Sequence, residues 1–125
     1  MTENQIGDGV IAVAMKVHSA VGPGLLESAY ELCLAHELTK RGMTVRKQVS
    51  IPIRYEELAI ENGYRIDLLV SERVVVELKA LETILPVHRG QPLSYLRLGG
   101  FKLGYLLNFN VAHMRDGITR IVNGL

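Results

Sequence analysis

The chain has 125 residues, a formal net charge of +1 and 48% hydrophobic residues. This length and composition predict a single domain over residues 1–125 with a real core, and they leave too few residues for two domains. The low net charge excludes the globally basic surface by which many nucleic-acid binders are recognised before any motif is read.

Compartment follows from what the sequence lacks. No apolar run approaches the roughly 20 residues needed to cross a bilayer, and the first ten residues lack the basic and apolar regions of a signal peptide. Cys33 is the one cysteine, so an internal disulfide is excluded. We therefore expect a cytoplasmic protein in which Cys33 is a small buried hydrophobe.

The first two predicted elements are helices. From Ile6 to Val21, apolar residues recur at steps of three and four, as on one face of an amphipathic helix. The residues Gly22 to Gly24 interrupt this pattern. From Leu25 to Lys40 the helical period resumes, with Leu26 on the apolar face, and Gly42 is suited to cap its end.

After these helices the apolar period changes from 3.6 to 2. The segment 45–55 alternates as a strand does, and Pro52 within it indicates an edge strand or a bulge. Further elements are strands in 64–70 and 74–80, a helix from about Gln91, a buried strand in 101–110 and a short element at 118–123. The order α-α-β-β-β-α-β-(β) predicts an α/β or α+β fold in which helices flank a sheet.

One region between the helices and the sheet is locally basic, with Lys40, Arg41, Arg46 and Lys47 inside eight residues. The acidic residues Glu56, Glu57 and Glu61 follow shortly after. These clusters are either two solvated regions or, for the basic one, a patch that contacts phosphate.

Side-chain direction on the predicted hairpin around Ser71 brings three charges together. Ile66, Leu68 and Val70 share one face of the first strand, and Val74, Val76, Leu78 and Ala80 share one face of the second. Both sets reach the core only if the loop has an odd number of residues, which Ser71 to Arg73 satisfies. In that register Asp67 lies opposite Glu77, with Lys79 one step along.

Two carboxylates this close repel each other unless a cation lies between them. A hard divalent ion such as Mg²⁺ takes oxygen ligands of this kind, and Lys79 could polarise a phosphate or orient the attacking water. The alternative is a salt-bridged cluster of Asp67, Glu77 and Lys79 on a solvated sheet face. Arg65, Leu69 and Val75 share that face, so we expect it to be partly covered.

These residues carry a resemblance to a known family. The segments "RID" at 65–67 and "ELK" at 77–79 resemble the D…(D/E)xK signature of the PD-(D/E)XK nuclease superfamily. More closely, "GPGLLESAY" at 22–30 is similar to the GxxExxY family of small bacterial proteins within that superfamily. The likeness covers nearly the whole chain, because "GYRIDLLV", "VVVELKA", "QPLSYL" and "LLNFN" follow in the family's order.

The resemblance implies a restriction-endonuclease-like core, which is a mixed central sheet flanked by helices. It also implies Asp67 and Glu77 as ligands of Mg²⁺ or Mn²⁺, joined by Glu27, and Lys79 as the catalytic lysine in phosphodiester hydrolysis. Gln91 and Tyr95 match the QxxxY helix motif that lies beside the metal site in the family.

Three residues in or near the matched segments, Glu27, Tyr30 and His18, also have structural explanations. Glu27 lies in the first turn of its helix, where free N–H groups and the helix dipole stabilise a carboxylate. Tyr30, one turn later, is expected to pack rather than react. His18 is expected to form a structural hydrogen bond across the break at 22–24. The helix containing Gln91 is expected to start near that residue, because Pro92 is best tolerated in a first turn.

The resulting hypothesis is a Mg²⁺-dependent nuclease acting on nucleic acid. One alternative is a non-catalytic module of the same fold that binds nucleic acid or a protein partner, including a second copy of itself as a homodimer. Another is a metal-dependent hydrolase of a different phosphoryl substrate, because fold alone does not determine function.

Overall fold

Three α-helices and five strands form the fold, and a computed structural model describes residues 1–125. In chain order the elements are α1 (Glu3–Val21), α2 (Glu27–Lys40), β1 (Val45–Tyr55), β2 (Leu58–Val70), β3 (Val74–Lys79), α3 (Pro86–Gly99), β4 (Leu103–Asn108), a 3-10 helix (Met114–Gly117) and β5 (Ile118–Val122). The predicted order is confirmed, and the short final element is a strand. None of the helices combines the length and apolar character needed to span a membrane.

The strands form one mixed sheet in the order β1-β2-β3-β4-β5. Only β3 and β4 are parallel, and α3 is the crossover that joins them, as a parallel pair requires. β1 is an edge strand, and its pairing with β2 shifts register between Ile51 and Ile53. Pro52 lies at this shift, so the prediction of an edge strand or a bulge is confirmed on both counts.

Helices cover both faces of the sheet. α1 and α2 pack on one face, where the larger core cluster includes Val10, Val13, Tyr30, Leu34, Leu68, Val76, Leu78 and Leu107. α3 packs on the other face, where Leu96 joins Leu69 and Val75 in a smaller cluster. Cys33 is half-buried beside the larger cluster rather than fully buried.

Two apolar residues differ from their predicted places. Ile66 belongs to the smaller cluster with Leu69, not to the face of Leu68. The alternation of β2 breaks between Ile66 and Leu68, opposite Gln48 of β1, whose φ of 53° interrupts the regular strand backbone, so Ile66 faces away from the larger core. Leu26 is 77% exposed, because α2 begins at Glu27 and leaves Leu26 as its capping residue.

The start of α3 also differs from the prediction. The helix begins at Pro86, so Gln91 lies in its second turn and not at its cap. Pro86 explains the start, since proline at the first position loses no helical hydrogen bond and has a suitable φ. Pro92 remains inside the helix, where its missing N–H leaves the carbonyl of His88 without its usual partner.

Candidate active site

The hairpin of β2 and β3 has the predicted register. Leu68 pairs with Val76 and Val70 pairs with Val74, which leaves the three-residue loop 71–73. This confirms the equal-parity pairing that directs Asp67 and Glu77 to one place. The ladder stops at the Leu68–Val76 pair, so the two strands separate where the predicted site begins.

Asp67 joins the strands beyond the end of the ladder. Its Oδ2 accepts a hydrogen bond of 2.8 Å from the main-chain N–H of Leu78. A side-chain carboxylate therefore replaces a main-chain carbonyl as the partner of β3. This bond fixes the Asp67 carboxylate beside Glu77.

Glu77 is only 5% exposed, although it is an acidic residue. Burial raises the pKa of Glu77 from 4.5 to about 9, and a hydrogen bond with Asp67 adds to the rise. The charge of Lys79 acts in the opposite direction. At neutral pH Glu77 consequently holds a proton, as expected for a carboxyl group that is buried beside a second one.

Lys79 lies close enough to lower the pKa of Glu77 but forms no salt bridge. The four ion pairs of the protein involve other residues. The alternative of a salt-bridged cluster on a solvated face is therefore wrong, because Glu77 is buried and protonated and the Lys79 ammonium is unpaired.

A cleft of about 580 Å³ opens between the start of α2 and the separated strands. It is lined by Leu25, Leu26, Glu27, Ser28, Glu31, Gln48, Asp67, Leu78 and Ala80. Glu77 and Lys79 alternate with Leu78 and Ala80 along the chain but do not line the cleft. Of the predicted site residues, Glu27 and Asp67 line it.

Three lining residues, Gln48, Glu31 and Asp67, form a polar bridge across this cleft. The Nε2 atom of Gln48 in β1 donates to Glu31 Oε1 at 2.6 Å and to Asp67 Oδ1 at 3.4 Å. Glu31 lies one helical turn after Glu27, so both carboxylates belong to the same face of α2. The bridge connects that helix to the strand that carries Asp67.

The predicted residues of α3 lie on the other side of Glu77. Burial raises the pKa of Tyr95, and the charges of Glu77 and Asp67 raise it further. The Tyr95 ring stacks on Tyr64 with centroids 4.4 Å apart, and the Tyr64 hydroxyl donates to the Tyr95 carbonyl at 2.8 Å. Gln91, one turn before Tyr95, has a buried Oε1 with no hydrogen-bond partner.

The carboxylates do not form a larger ligand cluster. No group of three or more histidine, cysteine, aspartate or glutamate side chains is arranged to hold a metal ion. Asp67 and Glu77 are brought together. Glu27 is farther away, and its charge makes the smallest contribution to the pKa of Glu77.

The loop before α2 is held by Tyr30. The buried Tyr30 hydroxyl donates to the Gly22 carbonyl at 2.6 Å and accepts from the Leu25 N–H at 3.1 Å. Its ring stacks on Phe109 with centroids 4.3 Å apart, so the predicted packing role is confirmed. His18 is also structural, but its Nε2 donates to the Val111 carbonyl at 2.8 Å and not across the break.

The comparison with protein families decides the relationship. A family model of the PD-(D/E)XK nuclease superfamily matches residues 4–121 of the chain. The chain belongs to this superfamily. Searches of curated proteins and of solved structures give no match.

Membership agrees with the observed architecture, because the mixed five-stranded sheet between helices is consistent with the restriction-endonuclease-like PD-(D/E)XK fold. Sequence reasoning missed Glu31, Gln48 and Asn108. The spacing of Glu31 four residues after Glu27 could have indicated it. Nothing in the sequence around Gln48 or Asn108 singles them out.

The Asn108 side chain fixes the main chain that follows strand β3, two residues after Lys79. It is 5% exposed, and its amide accepts from the Leu81 N–H at 3.0 Å and donates to the Leu81 carbonyl at 2.9 Å. It also accepts from the N–H of Asn110 at 3.3 Å. One side chain thus continues the pairing of β3 with β4 and fixes the backbone beyond Lys79.

Replacing Asn108 with Ala is expected to lower the free energy of unfolding by about 2 to 4 kcal/mol, because several buried main-chain groups lose their partners. Urea denaturation of Asn108→Ala and of the exposed control Asn62→Ala measures the difference. A loss no greater for Asn108→Ala than for Asn62→Ala would contradict the role given to this amide.

Proposed function

We propose that the protein is a Mg²⁺-dependent nuclease that hydrolyses phosphodiester bonds in nucleic acid, and that residues 1–125 are a single PD-(D/E)XK domain of the GxxExxY type. One observation carries the proposal. The Asp67 carboxylate, held by the Leu78 N–H, adjoins the buried Glu77 carboxyl at the point where β2 and β3 separate, beside Lys79, which forms no salt bridge. Superfamily membership supports a nuclease activity.

The donor chemistry of this pair fits a divalent ion. Mg²⁺ and Mn²⁺ prefer oxygen ligands, and a cation between Asp67 and Glu77 can replace the proton on Glu77. Asp67 and Glu77 would hold the ion, and Glu27 at the start of α2 would complete the set directly or through water. When bound, the ion supplies Lewis-acid polarisation of the phosphate and a water of lowered pKa.

The protein's own residues have separate tasks. The Leu78 N–H keeps the Asp67 carboxylate in place. The Lys79 ammonium would neutralise negative charge that develops on the phosphate oxygens during hydrolysis. Tyr95 keeps its hydroxyl proton because its pKa is raised, so it can donate to substrate, and the unpartnered Gln91 Oε1 can accept from substrate or water.

The test is cleavage of labelled single-stranded, duplex and branched DNA, and of RNA, with Mg²⁺ or Mn²⁺. We expect the wild type to cut at least one substrate and the Glu77→Ala, Lys79→Ala double variant to be slower by about 100-fold or more. Glu61→Gln in the exposed part of β2 is the control and should cut like the wild type. Equal cleavage by wild type and double variant, or none by either on every substrate, would contradict the enzymatic proposal.

The second candidate is a non-catalytic module that binds nucleic acid or a protein partner, including a second copy of itself. It is favoured by the lack of a three-ligand cluster around Asp67. Phosphate contacts would then come from the exposed Lys40, Arg41 and Lys47. Absence of Mn²⁺ binding at millimolar concentration, combined with salt-dependent binding of DNA, would support this candidate over cleavage. For either candidate we propose a cytoplasmic location, with which an unpaired Cys33 is compatible.

A further inference from the structure

The backbone of Gln48 is unusual among the residues of the sheet. Four residues other than glycine have a positive φ, namely Gln48, Glu56, Ser71 and Glu72. Glu56, Ser71 and Glu72 lie in the two hairpin turns, where left-handed conformations are common. Gln48 lies inside β1 with a φ of 53°, where a strand needs no such residue. This conformation is strained for a residue with a Cβ atom.

The strained residue stands opposite Asp67. The pairs Lys47–Leu68 and Val49–Ile66 continue the β1–β2 register on either side of it. Between them, the regular pairing gives way to the side-chain contact of Gln48 with Asp67. The left-handed conformation of Gln48 therefore leaves the register unchanged and directs its amide to Asp67, and it also exchanges the faces of β1, since Val45 packs against the larger core cluster and Val49 lies in the smaller one.

The Gln48 amide is suited to the position between two acids. A primary amide nitrogen has two N–H bonds, and Gln48 Nε2 directs one to Glu31 and one to Asp67. Each N–H dipole stabilises a carboxylate, and the pair reduces the repulsion between Glu31 and Asp67. The short 2.6 Å bond to Glu31 anchors the amide to α2, and the longer 3.4 Å contact reaches Asp67.

We propose that Gln48 is a positioning residue for the Asp67 carboxylate and that the strained β1 backbone exists to aim its amide between Glu31 and Asp67. The role in metal binding rests on the proposed function, in which Asp67 is a ligand. Besides Glu77, Asp67 then has two donors, the Leu78 N–H on Oδ2 and the Gln48 amide on Oδ1. Residues that orient ligands in this way typically affect metal affinity by about 10-fold to 100-fold.

The variant Gln48→Gly separates this role from simple structural support. Glycine relieves the backbone strain and removes the amide, so we expect the melting temperature to rise by about 2 to 5 °C. Hydrogen exchange of the Leu78 amide is nevertheless expected to become faster, because Asp67 is less well held. Affinity for Mn²⁺, measured by calorimetry, is expected to fall about 10-fold to 100-fold.

Glu56→Gly is the matched control, because it relieves a φ of 53° in the hairpin turn between β1 and β2 and has no contact with Asp67. It should raise the melting temperature without changing Leu78 exchange or Mn²⁺ affinity. If Gln48→Gly leaves Leu78 exchange as it is in Glu56→Gly, the positioning role is overturned. If the wild type binds no Mn²⁺, the proposed metal site fails, whereas Leu78 exchange still decides whether Gln48 positions Asp67.

Discussion

Replacing Glu77 with Gln is expected to stabilise the fold at pH 8 by about 2 to 4 kcal/mol, although Glu77 is central to the proposed active site. Glu77 is buried and holds a proton to about pH 9, so the folded chain prevents an ionisation that the unfolded chain undergoes freely. Glutamine has nearly the same shape and cannot ionise. Its amide can still donate to Asp67, as the protonated Glu77 does.

The pH dependence of this effect has a defined sign. Below about pH 4.5 Glu77 is protonated in both the folded and the unfolded chain, so its contribution to stability does not change. From pH 4.5 to about pH 9 the folded chain holds more protons than the unfolded chain, so the free energy of unfolding falls by about 1.4 kcal/mol per pH unit from this group. Above about pH 9 both forms are ionised and the loss ends.

Urea denaturation of metal-free protein at pH 5, 7 and 9 measures this slope. We expect the wild type to lose stability steeply as the pH rises and Glu77→Gln to lose much less. Glu61→Gln, an exposed carboxylate of β2, should follow the wild type within about 0.5 kcal/mol. Parallel curves for wild type and Glu77→Gln would show that Glu77 ionises normally in the folded chain.

Glu77→Gln should also lose cleavage, because the amide is a poorer ligand for a divalent ion than a carboxylate. A substitution that raises stability and removes activity is the expected behaviour of a residue kept for function at a cost to the fold. Gln48→Gly is expected to behave in the same way, because the unfavourable energy of Gln48 lies in its strained backbone and not in a buried acid.

Local sequence patterns predict the hairpin of the site well. Alternation of apolar residues determines which side chains of a strand are buried, and the turn must then have an odd length for both strands to bury theirs. This pattern alone is enough to place Asp67 beside Glu77. The direct involvement of the Leu78 N–H is not predictable in the same way, because it depends on where the two strands separate.

The less local features are predicted poorly. Ile66 is expected to share a face with Leu68, but the alternation of β2 breaks between them, opposite the left-handed Gln48, so Ile66 joins the other cluster. Pro92 after Gln91 favours a helix start at that glutamine, whereas packing of α3 on the sheet keeps the helix intact through the proline. The amide of Gln48 depends on a left-handed backbone that glutamine does not signal in a sequence.

Tyr30 should be the most sensitive position around the start of α2. It is fully buried, it stacks on Phe109, and its hydroxyl pairs with the Gly22 carbonyl and the Leu25 N–H. Tyr30→Ala removes the ring as well as the hydrogen bonds, so we expect a loss of about 3 to 5 kcal/mol in the free energy of unfolding. Urea denaturation of the two proteins gives this difference directly.

Tyr30→Phe isolates the hydroxyl, because it keeps the ring on Phe109. We expect it to cost about 1 to 3 kcal/mol, since two main-chain groups of the loop before Glu27 lose their partner. The Leu25 amide should exchange faster with solvent, and Tyr55→Phe on the exposed end of β1 should change neither quantity. If Tyr30→Phe matches Tyr55→Phe in both measurements, the loop is held by other contacts and Glu27 does not depend on Tyr30 for its position.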